Sequence, residues 1–141
     1  VAHDIHPLKN KNTYEGSGMI GSLKQDMDEI SFLELVKTNF NCGTIRHTTF
    51  RNKPIRTVAF CGGSGSFLLQ HAKRAKADIF ITGDYKYHDF FDADGEIVIA
   101  DIGHFESEQY TTNLLADILK KKFPTFVAHL TGVITNPINY F

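Results

Sequence analysis

The segment IVIADIGHFESEQY, residues 97–110, sets His104 just beyond an apolar run and Glu108 four residues later. One helical turn apart, an imidazole nitrogen and a carboxylate oxygen can share a face and meet a single cation. Mixed nitrogen and oxygen donors suit zinc, manganese, iron or nickel better than calcium. The spacing has a second reading, in which Glu106 and Glu108 complement a helix dipole and His104 bonds to backbone. Two donors also fall short of the three plus an open position that catalytic centres use, and the sequence offers no evident third.

Two other polar turns carry candidate groups. In CGGSGS, Gly62, Gly63 and Ser64 could present backbone N–H groups to an anion at a helix start. The run lacks the Gly-Lys-Ser/Thr of a Walker A loop and the spacing of a dinucleotide fingerprint. A tight turn where helix packs closely on strand is the other reading. In TGDYKYHD, Asp84 and His88 stand four apart, and Asp84 could simply cap the helix that follows.

The elements that must position these turns are rhythmic. IRTVAFC, DIFIT and IVIADI are apolar runs rich in β-branched and aromatic residues, as expected of strands covered on both faces. Each precedes a small-residue turn and a helical pattern. Repeated strand–turn–helix units predict a three-layer α/β lobe with a mostly parallel sheet and right-handed crossovers. All three turns then fall at the carboxyl edge of the strands, where ligands bind in such sheets. Upstream, a strand, a polar loop and a second short strand are expected. The capping box Ser31-Phe32-Leu33-Glu34 starts a helix carrying Leu33, Val36 and Phe40, with Gly43 as its left-handed terminator. The last helix shows Tyr110, Leu114, Leu115, Ile118 and Leu119 on one face, and Lys120–Lys122 complement its carboxyl end. Pro124 ends it, and TFVAHLTGVITNPINYF supplies one or two closing strands.

With 141 residues, 42% hydrophobic and 22% charged, the chain suits a single globular lobe. A net charge of −1 gives no reason to expect nucleic acid or an anionic membrane as an obligatory partner. Cys42 and Cys61 lack metal-type spacing and suggest a reducing, cytoplasmic setting. No apolar run is long enough to span a membrane. His3 and His6, three apart on a strand, face opposite sides and are not read as ligands. The start at Val1, inside a strand-like stretch, suggests a piece of a longer protein.

Together, VAFCGGSGSFL, ADIFITGDYKYHD and IADIGHFESE, in this order, closely resemble the NGG-interacting-factor-three-like family, whose members carry the name GTP cyclohydrolase 1 type 2 homologue. AHDIHPL…GSGMIGSL and TNPINYF extend the resemblance over nearly the whole chain. It matches the carboxyl-terminal lobe of a two-lobe protein, with residues 1–24 following an inserted domain. The resemblance implies a toroidal homohexamer with a dinuclear centre, two divalent ions per full-length subunit, between the lobes. Gly103, His104 and Glu108 match the family's G-H-x-x-x-E motif, and the histidine pair and aspartate of the other lobe have no counterpart here. It further implies a metal-dependent hydrolase of a small phosphorylated or nucleotide-like substrate. In that scheme Asp84 or His88 orients substrate or moves a proton, and Gly62–Ser64 hold a phosphate or carbonyl. The alternative is a non-catalytic hexameric scaffold, metal chaperone or regulatory partner.

Overall fold

A computed structural model describes residues 2–8 and 16–140, with the backbone alone for 2–4. The side chain of His3 and the polar loop expected near residues 9–15 lie outside the described residues. The strands are β1 (Ala2–Pro7), β2 (Met19–Met27), β3 (Arg46–His47), β4 (Ile55–Ser64), β5 (Ile79–Gly83) and β6 (Val98–Asp101). The helices are α1 (Glu29–Asn39), α2 (Leu69–Arg74), α3 (His104–Glu108) and α4 (Thr111–Lys122).

One six-stranded sheet has the order β1-β2-β4-β5-β6-β3. Its centre, β4-β5-β6, is parallel, as the three apolar runs predict. The flanks differ: β2 is antiparallel to β1 and β4, and β3 is antiparallel to β6. The lobe is therefore α/β with a mixed sheet: β1 lies antiparallel beside its neighbour in sequence β2, and β3, reached after α1, runs antiparallel along β6 at the opposite edge.

The central strands read as unbroken apolar runs because both of their faces are covered. Ile79, Ile81, Val98 and Ala100 pack on one side with Phe32, Leu33 and Val36 of α1. Phe80 and Ile99, at the intervening positions, pack on the other side with Leu68, Leu69 and Ala72. Two cores on either side of one sheet make the three layers.

Several local expectations resolve differently. Helix α1 starts earlier than Ser31: its N-cap is Asp28, whose carboxylate accepts from the Ser31 N–H at 2.9 Å. The Ser31 side chain first, and its backbone N–H second, hold the Asp28 carboxyl below its ordinary pKa. The left-handed residue after α1 is Asn41 (φ 50°), not Gly43. Gly43 is needed for a different reason: a Cβ there would lie 2.7 Å from the ring of Tyr140. After β5 only a 3-10 turn, His88–Ala93, forms in place of a full helix. In α4 the apolar stripe is present, but Leu114, Leu115, Ile118 and Leu119 are exposed and Ala116 alone is buried. Among the described residues after Pro124 there is neither strand nor helix. The segment pairs with neither edge strand and instead follows the cleft, where the ring of Tyr140 packs on Gly43. Among the described residues, no helix is long and apolar enough to cross a membrane.

Candidate metal centre

The carboxyl ends of β4, β5 and β6 converge on one corner, and three close approaches build it. A Cβ on Gly83 would lie 2.9 Å from the backbone of Gly103 and His104. The bare backbone of β5 thus lets the turn after β6 lie against it. Gly103 (φ 93°) opens α3 in a conformation that side chains rarely adopt. Ser107 then ties α3 to β4: its hydroxyl accepts from the Gly63 N–H at 2.8 Å and donates to the His104 carbonyl at 2.8 Å. Thr82 completes the tie by donating to the Gly63 carbonyl at 3.0 Å.

This frame brings Asp84, His104 and Glu108 together. Asp84 sits just past β5 in the left-handed region (φ 53°), so it is no helix N-cap. Its Oδ2 lies 2.6 Å from His104 Nδ1, while His104 Nε2 lies 3.2 Å from Glu108 Oε2. The Asp84 hydrogen bond, with help from the charges of Asp84 and Glu108, raises the pKa of His104 above its usual value. All three side chains are about half exposed at the cleft surface.

Asp101 braces the corner from beneath. Its nearly buried carboxylate accepts from the Tyr85 N–H at 2.9 Å, the Gly103 N–H at 2.9 Å and the Arg46 guanidinium. Arg46 also donates to the Tyr85 carbonyl at 2.8 Å and stands over the Phe90 ring. Glu106, which helix polarity alone would explain, is buried, and its carboxylate and the Tyr140 hydroxyl both lie beside Gly103. Burial first, then the charge of Glu106, pushes the Tyr140 pKa up. Tyr140 and residues 131 and 133–138 line a cleft of about 920 Å³ together with Asp84, His104 and Glu108.

The remaining candidates are placed differently. Gly62 and Gly63 belong to the end of β4 and make a seat for α3. A Cβ on Gly63 would lie 2.6 Å from Glu108 Oε1 and 3.2 Å from His104 Cε1. The Gly63 amide is spent on Ser107, and exposed Ser64 pairs with Gly83 in the sheet. His88 is exposed, with its ring set edge-on against Tyr87 at 5.2 Å, and it does not line the cleft. Cys42 and Cys61 are free thiols. Burial pushes Cys42 up to about 11 and raises Cys61 as well, so neither offers a thiolate near neutral pH. Sequence reasoning missed Arg46, Ser107 and Tyr140. Serine, threonine and tyrosine near glycines give no periodic signal, and Arg46 lies on a two-residue strand.

Donors at about 2.1 Å from one ion, at angles between 90° and tetrahedral, stand about 3.0–3.4 Å apart. The Nε2–Oε2 separation of 3.2 Å meets that requirement. Asp84 cannot join the same ion, because it holds the opposite ring nitrogen. No group of three or more His, Cys, Asp or Glu among the described residues could hold a metal ion. His104 and Glu108 therefore fit half of a ligand set, with Asp84 behind the imidazole.

Gly63→Ala tests the seat. A methyl at φ 62° costs about 1–2 kcal/mol by left-handed strain, and it also pushes the Glu108 carboxylate away from His104. A lowered Tm together with weakened metal uptake is expected, whereas a lowered Tm alone would remove the link to Glu108.

The architecture and the corner define a class first: a three-layer α/β lobe that presents a histidine–carboxylate pair at the carboxyl edge of its parallel strands. The model of the Duf34/NIF3 (NGG1p interacting factor 3) family matches residues 2–137, and the chain belongs to that family. It is 35% identical over 139 residues to a GTP cyclohydrolase 1 type 2 homolog of Staphylococcus epidermidis, covering 93% of this chain and 37% of that protein. A protein of the same name from Campylobacter jejuni is 32% identical over 151 residues, covering 99% of this chain and 60% of that one. Among solved structures, the Bacillus cereus protein related to NIF3 superposes with a TM-score of 0.76 at 29% identity, covering 93% of this chain and 38% of its own. A Staphylococcus aureus protein superposes with a TM-score of 0.77 at 26% identity, covering 89% of this chain and 42% of its own. The chain thus spans between about a third and three fifths of these relatives' lengths.

Proposed function

We propose that this lobe supplies His104 Nε2 and Glu108 Oε2 to a divalent-metal centre whose other ligands come from outside its described residues. The pair's 3.2 Å separation, with the opposite ring nitrogen held by Asp84, carries the reading. A carboxylate on Nδ1 places that nitrogen's hydrogen away from the cation and aims the Nε2 lone pair at it. The cation would be zinc, manganese, iron or nickel, two per subunit in a longer two-lobe chain. Bound there, it would supply hydroxide near neutral pH and polarise a scissile bond.

The activity we propose is metal-dependent hydrolysis of a small phosphorylated or nucleotide-like substrate. The cleft's volume and its mixed wall of Thr131, Val133, Thr135, Asn136 and Tyr140 suit such a molecule. In this scheme Glu108 stays on the metal, Asp84 orients His104, and neither acts on the substrate directly. Assembly into a homohexamer is part of the same proposal, supported by the exposed apolar stripe on α4.

Elemental analysis of the protein with and without His104→Ala tests the ligand assignment. Loss of bound divalent metal in the variant is expected, and unchanged metal content would refute it. Bound metal without turnover across a panel of phosphate esters would favour the scaffold or metal-chaperone reading over hydrolysis.

A further inference from the structure

The cleft beside the His104–Glu108 pair holds four carboxylates, Asp84, Asp101, Glu106 and Glu108, yet one lysine or arginine lines it among the described residues. That residue is Arg46, and we infer that its guanidinium is the oxyanion-binding group of the cleft. It would take the phosphate or carboxylate of a small ligand whose reacting end faces His104 and Glu108. The inference rests on the proposed metal centre for its meaning but not for its test.

Three observations support the assignment. Arg46 is held in place: it donates to the Tyr85 carbonyl and to Asp101, and the face of Phe90 lies 5.5 Å from its guanidinium carbon. Both hydrogen bonds leave from the same nitrogen, whereas a guanidinium carries five N–H donors in a planar fork. Its side chain is 57% exposed although its partner Asp101 is 3% exposed, and it lines the cleft as well as the neighbouring groove beside Phe90, so donors of the fork remain open to a ligand.

The obvious rival role is to neutralise Asp101. That carboxylate already accepts two backbone N–H groups, from Tyr85 and Gly103, which stabilise its charge independently of Arg46. Electrostatics also favour a single docking point. An anion is repelled by Asp84 and Glu108, which flank His104, and among the described residues of the lining finds its one permanently charged cation at Arg46. Planar, bidentate recognition of phosphate or carboxylate is the geometry a pre-ordered arginine supplies best.

The experiment is a titration of inorganic phosphate, and separately acetate, into isotopically labelled metal-free protein followed by NMR. Saturable shifts centred on Arg46, Thr44 and Asn136 are expected. Arg46→Gln should weaken phosphate binding at least about tenfold, and Arg46→Lys should fall between, since it keeps the charge and loses the fork. A response to phosphate and not acetate would mark a phosphate ester as the ligand, and the reverse a carboxylate. Because Arg46 touches Asp101, a native far-UV spectrum is required of each variant, and Arg46→Lys serves if Arg46→Gln does not fold. Equal phosphate affinity in the folded variants, or shifts elsewhere on the protein, overturns the assignment. His104→Ala separates the two readings: it should abolish metal binding and leave the phosphate response intact.

Discussion

Replacing Asp101 by alanine should destabilise the lobe by about 3–5 kcal/mol, since it strands one partner set of a nearly buried charge network. The carboxylate is 3% exposed and accepts from two backbone N–H groups and one guanidinium. A hydrogen bond to a charged acceptor contributes about 1.5–3 kcal/mol. The Tyr85 amide is buried with its residue and cannot turn to water. Arg46, more than half exposed, can rehydrate, which limits its share of the loss. Chemical denaturation reads the effect as a lower midpoint at unchanged slope. Asp101→Asn, which keeps one carbonyl acceptor, should recover part of it. A loss below about 1 kcal/mol in Asp101→Ala would show that the network is not a structural brace.

Removing the Asp84 carboxylate should weaken metal affinity about 10–100-fold, the usual cost of losing the partner of a ligating histidine. Without the 2.6 Å contact at Nδ1, the imidazole loses its fixed rotamer and tautomer, and Nε2 no longer faces Glu108. Asp84→Asn retains an acceptor for the Nδ1 hydrogen and should bind more tightly than Asp84→Ala. The pH dependence follows from the raised pKa of His104. Metal and proton compete for Nε2, so uptake should strengthen as pH rises through that raised value. Asp84→Ala removes its largest cause and shifts the uptake profile to lower pH, making the penalty smallest in acid. For stability the sign is opposite. A raised folded pKa stabilises fully below the ordinary value of 6.5, and the contribution fades as pH climbs through the folded one. Chelator-competition titrations check the uptake and denaturant unfolding at several pH values the stability, and equal metal affinities for wild type and Asp84→Ala at alkaline pH would remove Asp84 from the site.

Much of this corner was readable in one dimension. The continuous apolar runs announced doubly covered strands, because each successive side chain of β5 and β6 enters a different core. The parallel centre of the sheet followed from them. Spacing placed His104 and Glu108 on one face, since one helical turn fixes their relative placement, while their reading as ligands came from the family motif.

Other features were set by contacts distant in sequence. Gly43 looked like a helix terminator, but its hydrogen side chain admits the ring of Tyr140, ninety-seven residues on. The double glycine of CGGSGS read either as an anion cradle or as a turn where helix packs closely on strand, and packing puts Glu108 against it and spends the Gly63 amide on Ser107. Asp84 and His88 looked like a pair, yet a left-handed residue at Asp84 and a 3-10 turn part them, leaving Asp84 to His104 and His88 to solvent.

The sequence by itself determined the layers, the parallel character of the central strands and the placement of His104 and Glu108 one helical turn apart, because periodicity and i, i+4 geometry are local. The tertiary structure alone decided which carboxylate orients His104, why the glycines are glycines and where the cleft's single arginine stands. Those depend on which strand ends meet, and that is settled by the packing of the whole sheet.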